Sequence, residues 1–235
     1  MKYSHLKKIR NYFYRSISPK KFMSPIFKSN DFGFRRGTPI DRYYIENFLN
    51  FSKDYINGNV LEFGDSFYYN KLSICNNSSC DIFTSEMDNR NDGIIRIHGD
   101  LSDVHYSLFS KYDCIICTNV LNFIFDINAA ILGIYNILKP GAVCIVTLAG
   151  YSTHISRYDY EKWGDYWRFS DKGAIKLFEK YFEIIFIKNY GNFYSATAQM
   201  SGFSIEELEI EKINSNEKDY TMLTGLVLKK RFINE

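Results

Sequence analysis

The stretch of this sequence that is most informative about its fold is Val60-Leu61-Glu62-Phe63-Gly64-Asp65. It is a short apolar run bounded by Gly58 and Gly64, which is typical of a buried parallel strand. The run ends in an acid, one spacer and a glycine, and ligands of open α/β sheets bind outside the carboxyl ends of the strands. One acid and one glycine also fit an ordinary core strand that leaves through a turn. The stretch therefore predicts an α/β sheet and leaves a ligand site open.

Length and composition indicate one domain with a sizeable core. The chain has 235 residues, of which 46% are hydrophobic and 24% are charged. Its 29 basic and 27 acidic residues nearly balance, so it lacks the positive charge typical of nucleic-acid binders, and we expect no nucleic-acid partner. The five cysteines are scattered, and an odd number argues against a complete disulfide framework. This pattern favours a cytoplasmic location.

The pair Cys114 and Cys117 has the spacing of a zinc or redox motif, but it lies inside an apolar run. Residues three apart on a strand point to opposite faces, and no second Cys or His pair stands nearby. We expect two core cysteines and no resident metal. A divalent ion recruited jointly with substrate is the alternative.

Residues 1–34 are predicted to form a basic, aromatic arm ahead of a single domain over 35–235. The first thirty residues contain lysines, arginines and aromatic residues but no Asp or Glu. No apolar segment follows as in a secretory signal, and no stretch is long and apolar enough to span a membrane. Such an arm can contact an anionic membrane surface or an acidic partner. The favoured alternative is a loosely held, solvated arm.

Helix signals are clear at three places. Thr38 is expected to cap a first helix with Pro39 at its first position, and its apolar stripe consists of Ile40, Tyr44, Phe48, Phe51 and Tyr55. Asp126 is expected to cap a helix over 127–138 that Pro140-Gly141 ends. Ser170 is expected to cap a third helix. Strands are predicted at 60–65, 81–85, 94–98, 112–117, 143–148, 184–187 and 221–229, so strands and helices alternate as in a mostly parallel sheet.

At several positions the sequence resembles class I S-adenosylmethionine-dependent methyltransferases. The matching positions are 60–65, Glu86, Gly99-Asp100-Leu101, 112–122 and Leu138-Lys139-Pro140-Gly141. Two denser motifs, at 35–44 and at 156–159 with 163–169, are similar to a bacterial subgroup encoded beside glycosyltransferases of surface-polysaccharide synthesis. The resemblance covers the chain from Arg35 onward. It implies a Rossmann-like fold with a seven-stranded, mostly parallel sheet and helices on both faces.

The resemblance also implies S-adenosylmethionine as cofactor and a role for each matching residue. Gly64, with Asp65 beside it, would let the backbone approach the methionine part, and Glu62 would lie near its amino group. Glu86 would accept hydrogen bonds from both ribose hydroxyls. The remaining contacts would come from Asp100 at the adenine amino group, Leu101 over the ring, and Thr118 and Asn119 on the methionine side.

This sequence departs from the family pattern in two places. Ser66, Phe67 and Tyr68 follow Asp65 where further glycines are usual. The acid after the second strand is Glu86, whereas the subgroup usually has Asp. Each carried-over residue also has an ordinary alternative role, for example Asp100 as a helix cap.

The expected acceptor wall follows the fifth strand and combines aromatic, acidic and basic side chains: Tyr158, Trp163, Tyr166, Trp167 and Arg168. Aromatic faces beside carboxylates suit a sugar. Asp159 and Asp165 rank together as candidate general bases, above His154. The alternative is structural, with both tryptophans as core anchors and Arg168 paired to Asp165 only to hold the loop.

The sequence thus predicts a methyltransferase that methylates a hydroxyl of a sugar, either nucleotide-linked or within a growing surface polysaccharide. A dehydrogenase of the same sheet type would require a G-x-G-x-x-G motif after the first strand, which is absent. The alternative of another class is a catalytically silent binding module that docks on a glycosyltransferase or on the membrane surface.

Overall fold

The computed structural model describes residues 29–72, 78–88 and 90–232, which contain seven strands and seven α-helices. The strands are β1 (Asn59–Phe63), β2 (Ser79–Thr84), β3 (Arg96–His98), β4 (Tyr112–Thr118), β5 (Leu138–Ala149), β6 (Phe182–Tyr190) and β7 (Leu223–Lys230). The helices are α1 (Ile40–Ser52), α2 (Phe67–Lys71), α3 (Ile127–Ile137), α4 (Arg157–Trp163), α5 (Asp171–Phe178), α6 (Phe193–Met200) and α7 (Ile210–Ile213). The predicted strand positions are confirmed, with β5 considerably longer than expected.

All seven strands form one sheet in the order β3-β2-β1-β4-β5-β7-β6. Strands β1 to β5 pair in parallel, and β7 runs antiparallel to both β5 and β6. The strand order reverses between β1 and β4, which is the place where open α/β sheets bind ligands. The predicted seven-stranded, mostly parallel sheet is confirmed.

Helices cover both faces of this sheet. Leu61 packs in one hydrophobic cluster with α3 and α5, whereas its neighbour Val60 packs in a second cluster with α1 and α6. Cys117 belongs to the first cluster and Cys114 to the second, and both are fully buried. The prediction that these two cysteines are core residues on opposite faces is therefore confirmed.

The start of α1 differs from the prediction. Pro39 is the residue that precedes the helix, and Thr38 does not cap it. Instead, the Thr38 hydroxyl and backbone N–H donate hydrogen bonds to the Glu206 carboxylate. The Thr38 cap was therefore wrong, because a carboxylate from a distant segment accepts both of its donors. Phe51 of the predicted apolar stripe is exposed, and Leu49 is buried.

The predicted helix over 127–138 is confirmed to within one residue, because α3 ends at Ile137, before Pro140-Gly141. The following strand begins earlier than predicted: Leu138 already pairs with Tyr112 of β4. Pro140-Gly141 therefore lies within β5, where the pairing register shifts, and Gly141 has a positive φ of 74°. It forms a bulge in the strand. The predicted caps Asp126 and Ser170 are confirmed.

Candidate active site

The turn after β1 is shaped by a glycine and a buried acid. Gly64 has a φ of 86°, and no atom lies within 4 Å of the position that its Cβ would occupy. Glu62 is only 1% exposed, and its two carboxylate oxygens accept hydrogen bonds from the N–H groups of Tyr68 (3.0 Å) and Tyr69 (2.9 Å). Burial raises the pKa of Glu62 to about 7, although the two N–H donors oppose this. Glu62 therefore caps α2 in this structure.

A cavity of about 800 Å³ opens at the carboxyl ends of β4 and β5. Its floor contains Thr118, Asn119 and Ala149, which end those two strands or directly follow them. The first turn of α1 and the segment 29–39 form one side, and the segment 153–168 forms the other. The cavity thus lies beside the reversal of strand order, within the size range of small-molecule sites.

Four buried side-chain atoms to which the described residues give no hydrogen-bond partner belong to residues of this cavity wall. They are Asp41 Oδ1, Asn122 Oδ1, His154 Nδ1 and Gln199 Oε1. Buried polar atoms are nearly always hydrogen-bonded, and an unpaired one costs about 1 to 3 kcal/mol. The convergence of four such atoms on one cavity indicates a place where a ligand or ordered water supplies the missing donors.

The segment 29–39, which we name the strap, is anchored to the loop after α6. The Arg36 side chain donates hydrogen bonds to the Glu207 carboxylate (3.1 Å) and to the Gly202 carbonyl oxygen. The Thr38 N–H donates to Glu206 at 2.8 Å. Arg36 and Thr38 of the motif at 35–44 thus position this side of the cavity. Residues 29–34 of the predicted arm belong to the strap, and residues 1–28 lie outside the described chain.

Asp165 and Arg168 form a close ion pair in the opposite wall. The guanidinium donates to both carboxylate oxygens of Asp165, at 2.5 and 2.6 Å, and the Asp165 side chain is only 2% exposed. The Asn122 side-chain N–H donates to the same carboxylate at 3.3 Å. Both oxygens of Asp165 are therefore occupied, and the pair holds the loop between α4 and α5.

Asp159 and His154, the other candidate bases, line the same cavity. The described residues provide no hydrogen-bond donor to the Asp159 carboxylate, so it is free to accept one from a ligand. His154 stacks on the ring of Phe32 with centroids 4.1 Å apart. Burial and, second, the charge of Arg168 lower the pKa of His154, so its imidazole is neutral at neutral pH.

The predicted acceptor wall divides into separate surfaces. Tyr158 and Arg168 line the cavity. Tyr166 and Trp167 line an adjoining hollow of about 620 Å³, which shares Arg168 with the cavity. Trp163 lines neither, because it packs against Phe123 and Tyr158, with ring centroids 5.9 and 6.3 Å apart.

The predicted cofactor residues are not all brought to the cavity. Thr118 and Asn119 line it, whereas Gly64 and Asp65 lie at the β1 turn beyond its wall. Leu101 is buried in the core. Asp100 accepts a hydrogen bond from the Ser102 N–H. Glu86 is 51% exposed, and its carboxylate lies 2.6 Å from Lys162 Nζ of α4.

Several residues of the cavity wall were missed as individual candidates, among them Asp41, Arg42, Asn122 and Gln199. The first two lie inside the motif at 35–44, and that motif was the available signal. Asn122 ends the segment at 112–122 that resembles the family. Gln199 belongs to α6 and carries no sequence signal, because only packing brings this helix beside α1.

The described part of the chain contains neither a cluster of metal ligands nor a membrane-spanning helix. Among residues 29–72, 78–88 and 90–232, no group of three or more His, Cys, Asp or Glu side chains could hold a metal ion. No described helix is both long enough and apolar enough to cross a bilayer.

Comparison with solved structures identifies the fold. No family model and no curated protein matches the sequence. The N-methyltransferase NodS from Bradyrhizobium japonicum WM9, in complex with S-adenosyl-L-homocysteine, superposes with a TM-score of 0.54 at 13% identity, covering 90% of this chain and 97% of that chain. An S-adenosylmethionine-dependent methyltransferase from Mesorhizobium loti gives 0.54 at 12% identity, covering 81% and 97%.

The same fold is also found in a protein that catalyses another reaction. The [4+2]-cyclase SpnF gives a TM-score of 0.53 at 12% identity, covering 83% of this chain and 84% of that chain. At such low identity these comparisons establish the Rossmann-like fold of class I S-adenosylmethionine-dependent methyltransferases, which this chain has. Reaction and substrate must be argued from its own site.

Proposed function

We propose that this protein is an S-adenosylmethionine-dependent methyltransferase that methylates a sugar hydroxyl in the biosynthesis of a surface polysaccharide or another glycan. The observation that carries the proposal is the convergence of four unpaired buried polar atoms on the cavity at the strand-order reversal. A sugar presents several O–H donors at once, and the wall offers unpaired acceptors at Asn122 and Gln199. An apolar acceptor would leave them unsatisfied.

The cofactor half of this proposal rests on the turn after β1 and on Glu86. Gly64 turns with a positive φ and has open space in front of it, so a ligand can approach the backbone closely. Glu86 is exposed enough to accept hydrogen bonds from two ribose hydroxyls. Its carboxylate lies 2.6 Å from Lys162 Nζ, so the hydroxyls would have to displace this lysine. When bound, the cofactor supplies an electrophilic methyl group on a sulfonium. The chain's own residues orient the acceptor, exclude water and accept its proton.

Asp159 is the best-placed residue to accept that proton. Its carboxylate lines the cavity and receives no hydrogen bond from the described residues. Asp165 is less available, because both of its oxygens already accept hydrogen bonds from Arg168. His154 is neutral and keeps an unpaired Nδ1, so it is the second candidate.

The adjoining hollow supports an acceptor that is larger than one sugar. Tyr166 and Trp167 line it, and the ring of Phe125 lies against both, with centroids 5.4 and 6.2 Å away. Exposed aromatic faces stack on the CH faces of sugars. Because the hollow shares Arg168 with the cavity, a second sugar unit or a phosphate of the acceptor can extend into it.

The competing function is a binding module that keeps the fold without using the cofactor. Two observations favour it: the oxygens of Glu62 are occupied by the N–H groups of α2, and Glu86 is paired with Lys162. Isothermal titration calorimetry with S-adenosylmethionine and S-adenosylhomocysteine separates the two functions. Binding of both, weakened by Glu86→Ala, is expected for the enzyme, and no binding of either contradicts it.

The cellular setting belongs to the same proposal. A cytoplasmic enzyme of glycan synthesis would work beside a glycosyltransferase, and the basic residues at 1–34 suit contact with that partner or with an anionic membrane surface. Sedimentation with anionic and neutral lipid vesicles, for the full chain and for a chain lacking residues 1–28, tests the membrane contact. Equal sedimentation of the two chains would exclude this contact.

A further inference from the structure

The first turn of α1 presents an acid and a base side by side to the cavity. Asp41 and Arg42 are consecutive, and both line its wall next to Tyr68. Arg35 and Arg168, two other arginines of this wall, are paired with Asp31 and Asp165. Within the described chain, the Arg42 guanidinium forms no ion pair and donates no hydrogen bond, so its charge is available to a ligand.

Two aromatic rings hold the Arg42 side chain in place. The guanidinium carbon lies 5.1 Å from the ring centroid of Phe34 and 5.1 Å from that of Phe67. Phe34 belongs to the strap, and Phe67 begins α2 directly after the β1 turn. Cation–π contacts on two sides restrict the guanidinium without neutralising it, which is a favourable arrangement for binding an anion.

Asp41 complements this cation. Its Oδ1 atom is buried, and no described residue provides it with a hydrogen-bond partner. Burial is the largest influence on the pKa of Asp41 and raises it; the backbone N–H and the charge of Arg42 oppose this, and the charge of Asp159 adds to it. A bound cation would favour the ionised carboxylate and supply the missing donor. From the sequence, Glu62 was expected to lie near the amino group of the cofactor, but both oxygens of Glu62 already accept hydrogen bonds from the N–H groups of α2.

We propose that Asp41 and Arg42 together bind the amino-acid end of the cofactor, with the guanidinium on its carboxylate and Asp41 on its ammonium group. This inference rests on the proposed function. The contact of Arg42 with Phe67 ties the pair to the β1 turn, where the methionine end is expected. Arg157 is a second arginine that forms no ion pair with any described residue. It lies on α4 with its guanidinium 5.3 Å from the Tyr160 ring, on the acceptor side of the cavity.

Ligands that differ only at the amino-acid end provide the test. Calorimetry compares S-adenosylmethionine, decarboxylated S-adenosylmethionine and 5′-methylthioadenosine on the full chain. Arg42→Met is expected to weaken binding of S-adenosylmethionine about 10- to 100-fold, as for a lost charge-assisted hydrogen bond, and to change binding of the decarboxylated compound less than about twofold. Asp41→Asn should weaken both compounds and leave 5′-methylthioadenosine unchanged.

The matched control is Arg157→Met, which removes the same charge from the same cavity. It is expected to leave the binding of all three compounds unchanged. Phe34→Leu removes one ring beside Arg42 from an exposed position. It should weaken only S-adenosylmethionine, the one compound of the three that carries the carboxylate, even if Arg42→Met folds poorly. Thermal unfolding of each variant verifies that it is folded.

The possible outcomes are distinct. Equal loss of S-adenosylmethionine and its decarboxylated form in Arg42→Met overturns the inference, as does a carboxylate-selective loss in Arg157→Met. If the wild-type protein binds none of the three compounds, the proposed function itself fails, whatever the role of Arg42.

Discussion

Glu86 and Lys162 form an ion pair of 2.6 Å that joins the loop after β2 to α4. Both side chains are partly exposed, and ion pairs of this kind contribute little to stability. The pair matters because Glu86 is the residue expected to accept the ribose hydroxyls. The helix that supplies Lys162 also supplies Tyr158 and Asp159 to the cavity. If Glu86 binds the ribose as proposed, cofactor binding and the position of the acceptor wall are linked through this one carboxylate.

Replacing Lys162 should strengthen cofactor binding. Lys162→Ala frees the Glu86 carboxylate from a competing cation, so we expect the dissociation constant for S-adenosylhomocysteine to fall no more than severalfold, with the melting temperature nearly unchanged. High salt should reduce the difference between variant and wild type, because it screens the pair. Calorimetry at two salt concentrations measures both effects. Weaker binding in Lys162→Ala would show that the lysine assists the ligand instead.

Replacing Glu86 should have the opposite effect. Glu86→Ala removes two charge-assisted hydrogen bonds to the ribose, and we expect cofactor binding to weaken by roughly 1.5 to 3 kcal/mol. Glu183→Ala is a suitable control, because Glu183 is an exposed glutamate at the far edge of the sheet. Unchanged affinity in Glu86→Ala would reject the ribose role.

The two candidate aspartates should separate by their effects on stability. Asp165→Asn weakens the pairing of Arg168, and we expect it to lower the free energy of unfolding by roughly 1 to 3 kcal/mol. Asp159→Asn disturbs no hydrogen bond of the carboxylate in the described chain, so stability should be preserved while turnover falls about 100-fold. Urea unfolding and single-turnover methyl transfer provide the two measurements. Full turnover in Asp159→Asn, with cofactor binding intact, would mean that His154 is the base or that the reaction needs none.

Glu62 should make stability depend on pH. Its pKa of about 7 in the folded protein lies above its ordinary value, so the folded state holds this proton more tightly than the unfolded state. The stabilisation is fully present below about pH 4.5 and is lost as the pH rises through 7. Relative to Glu62→Gln, the wild-type protein should lose roughly 2 to 4 kcal/mol of unfolding free energy over this interval.

Urea unfolding at several pH values between 4.5 and 8 measures this dependence. Glu183→Gln, at an exposed glutamate, controls for the general effect of removing a carboxylate. Parallel pH profiles for wild type and Glu62→Gln would mean that folding does not raise the pKa of Glu62.

The strap should loosen when its anchor is removed. Thr38→Val deletes the hydroxyl that donates to Glu206, and a typical hydrogen bond contributes about 0.5 to 1.5 kcal/mol. We expect faster tryptic cleavage after Arg35 and Arg36, because the strap detaches more often from the loop after α6. Thr197→Val, at an exposed threonine of α6, is the control. Equal cleavage rates in the two variants would show that the Arg36 contacts are sufficient.

Local patterns were sufficient to predict most of the fold. Alternating apolar runs and caps such as Asp126 and Ser170 depend on residues close in sequence, and these predictions were confirmed. The Thr38 cap failed because its partner, Glu206, comes from a segment remote in the chain. The predicted start of β5 at Val143 was too late, because pairing with β4 extends the strand back to Leu138.

The candidate site shows the same division. The sequence alone identified many of the polar residues of the site. The predicted acids Asp159 and Asp165 and the predicted polar pair Thr118 and Asn119 all line the cavity. The sequence did not show which of these groups are free to bind a ligand. Asp165 is occupied by Arg168, and Glu62 is occupied by α2.

By itself, the sequence determined the strand and helix pattern and the residue types that surround the site, because apolar periodicity and capping act over a few neighbouring residues. Only the tertiary structure decided which charged side chains are paired with an opposite charge and which remain unpaired. That choice depends on distances between side chains far apart in the chain, such as Glu86 and Lys162, or Arg42 between the rings of Phe34 and Phe67. Burial and pairing are properties of the packed molecule, and they set the electrostatics on which binding depends.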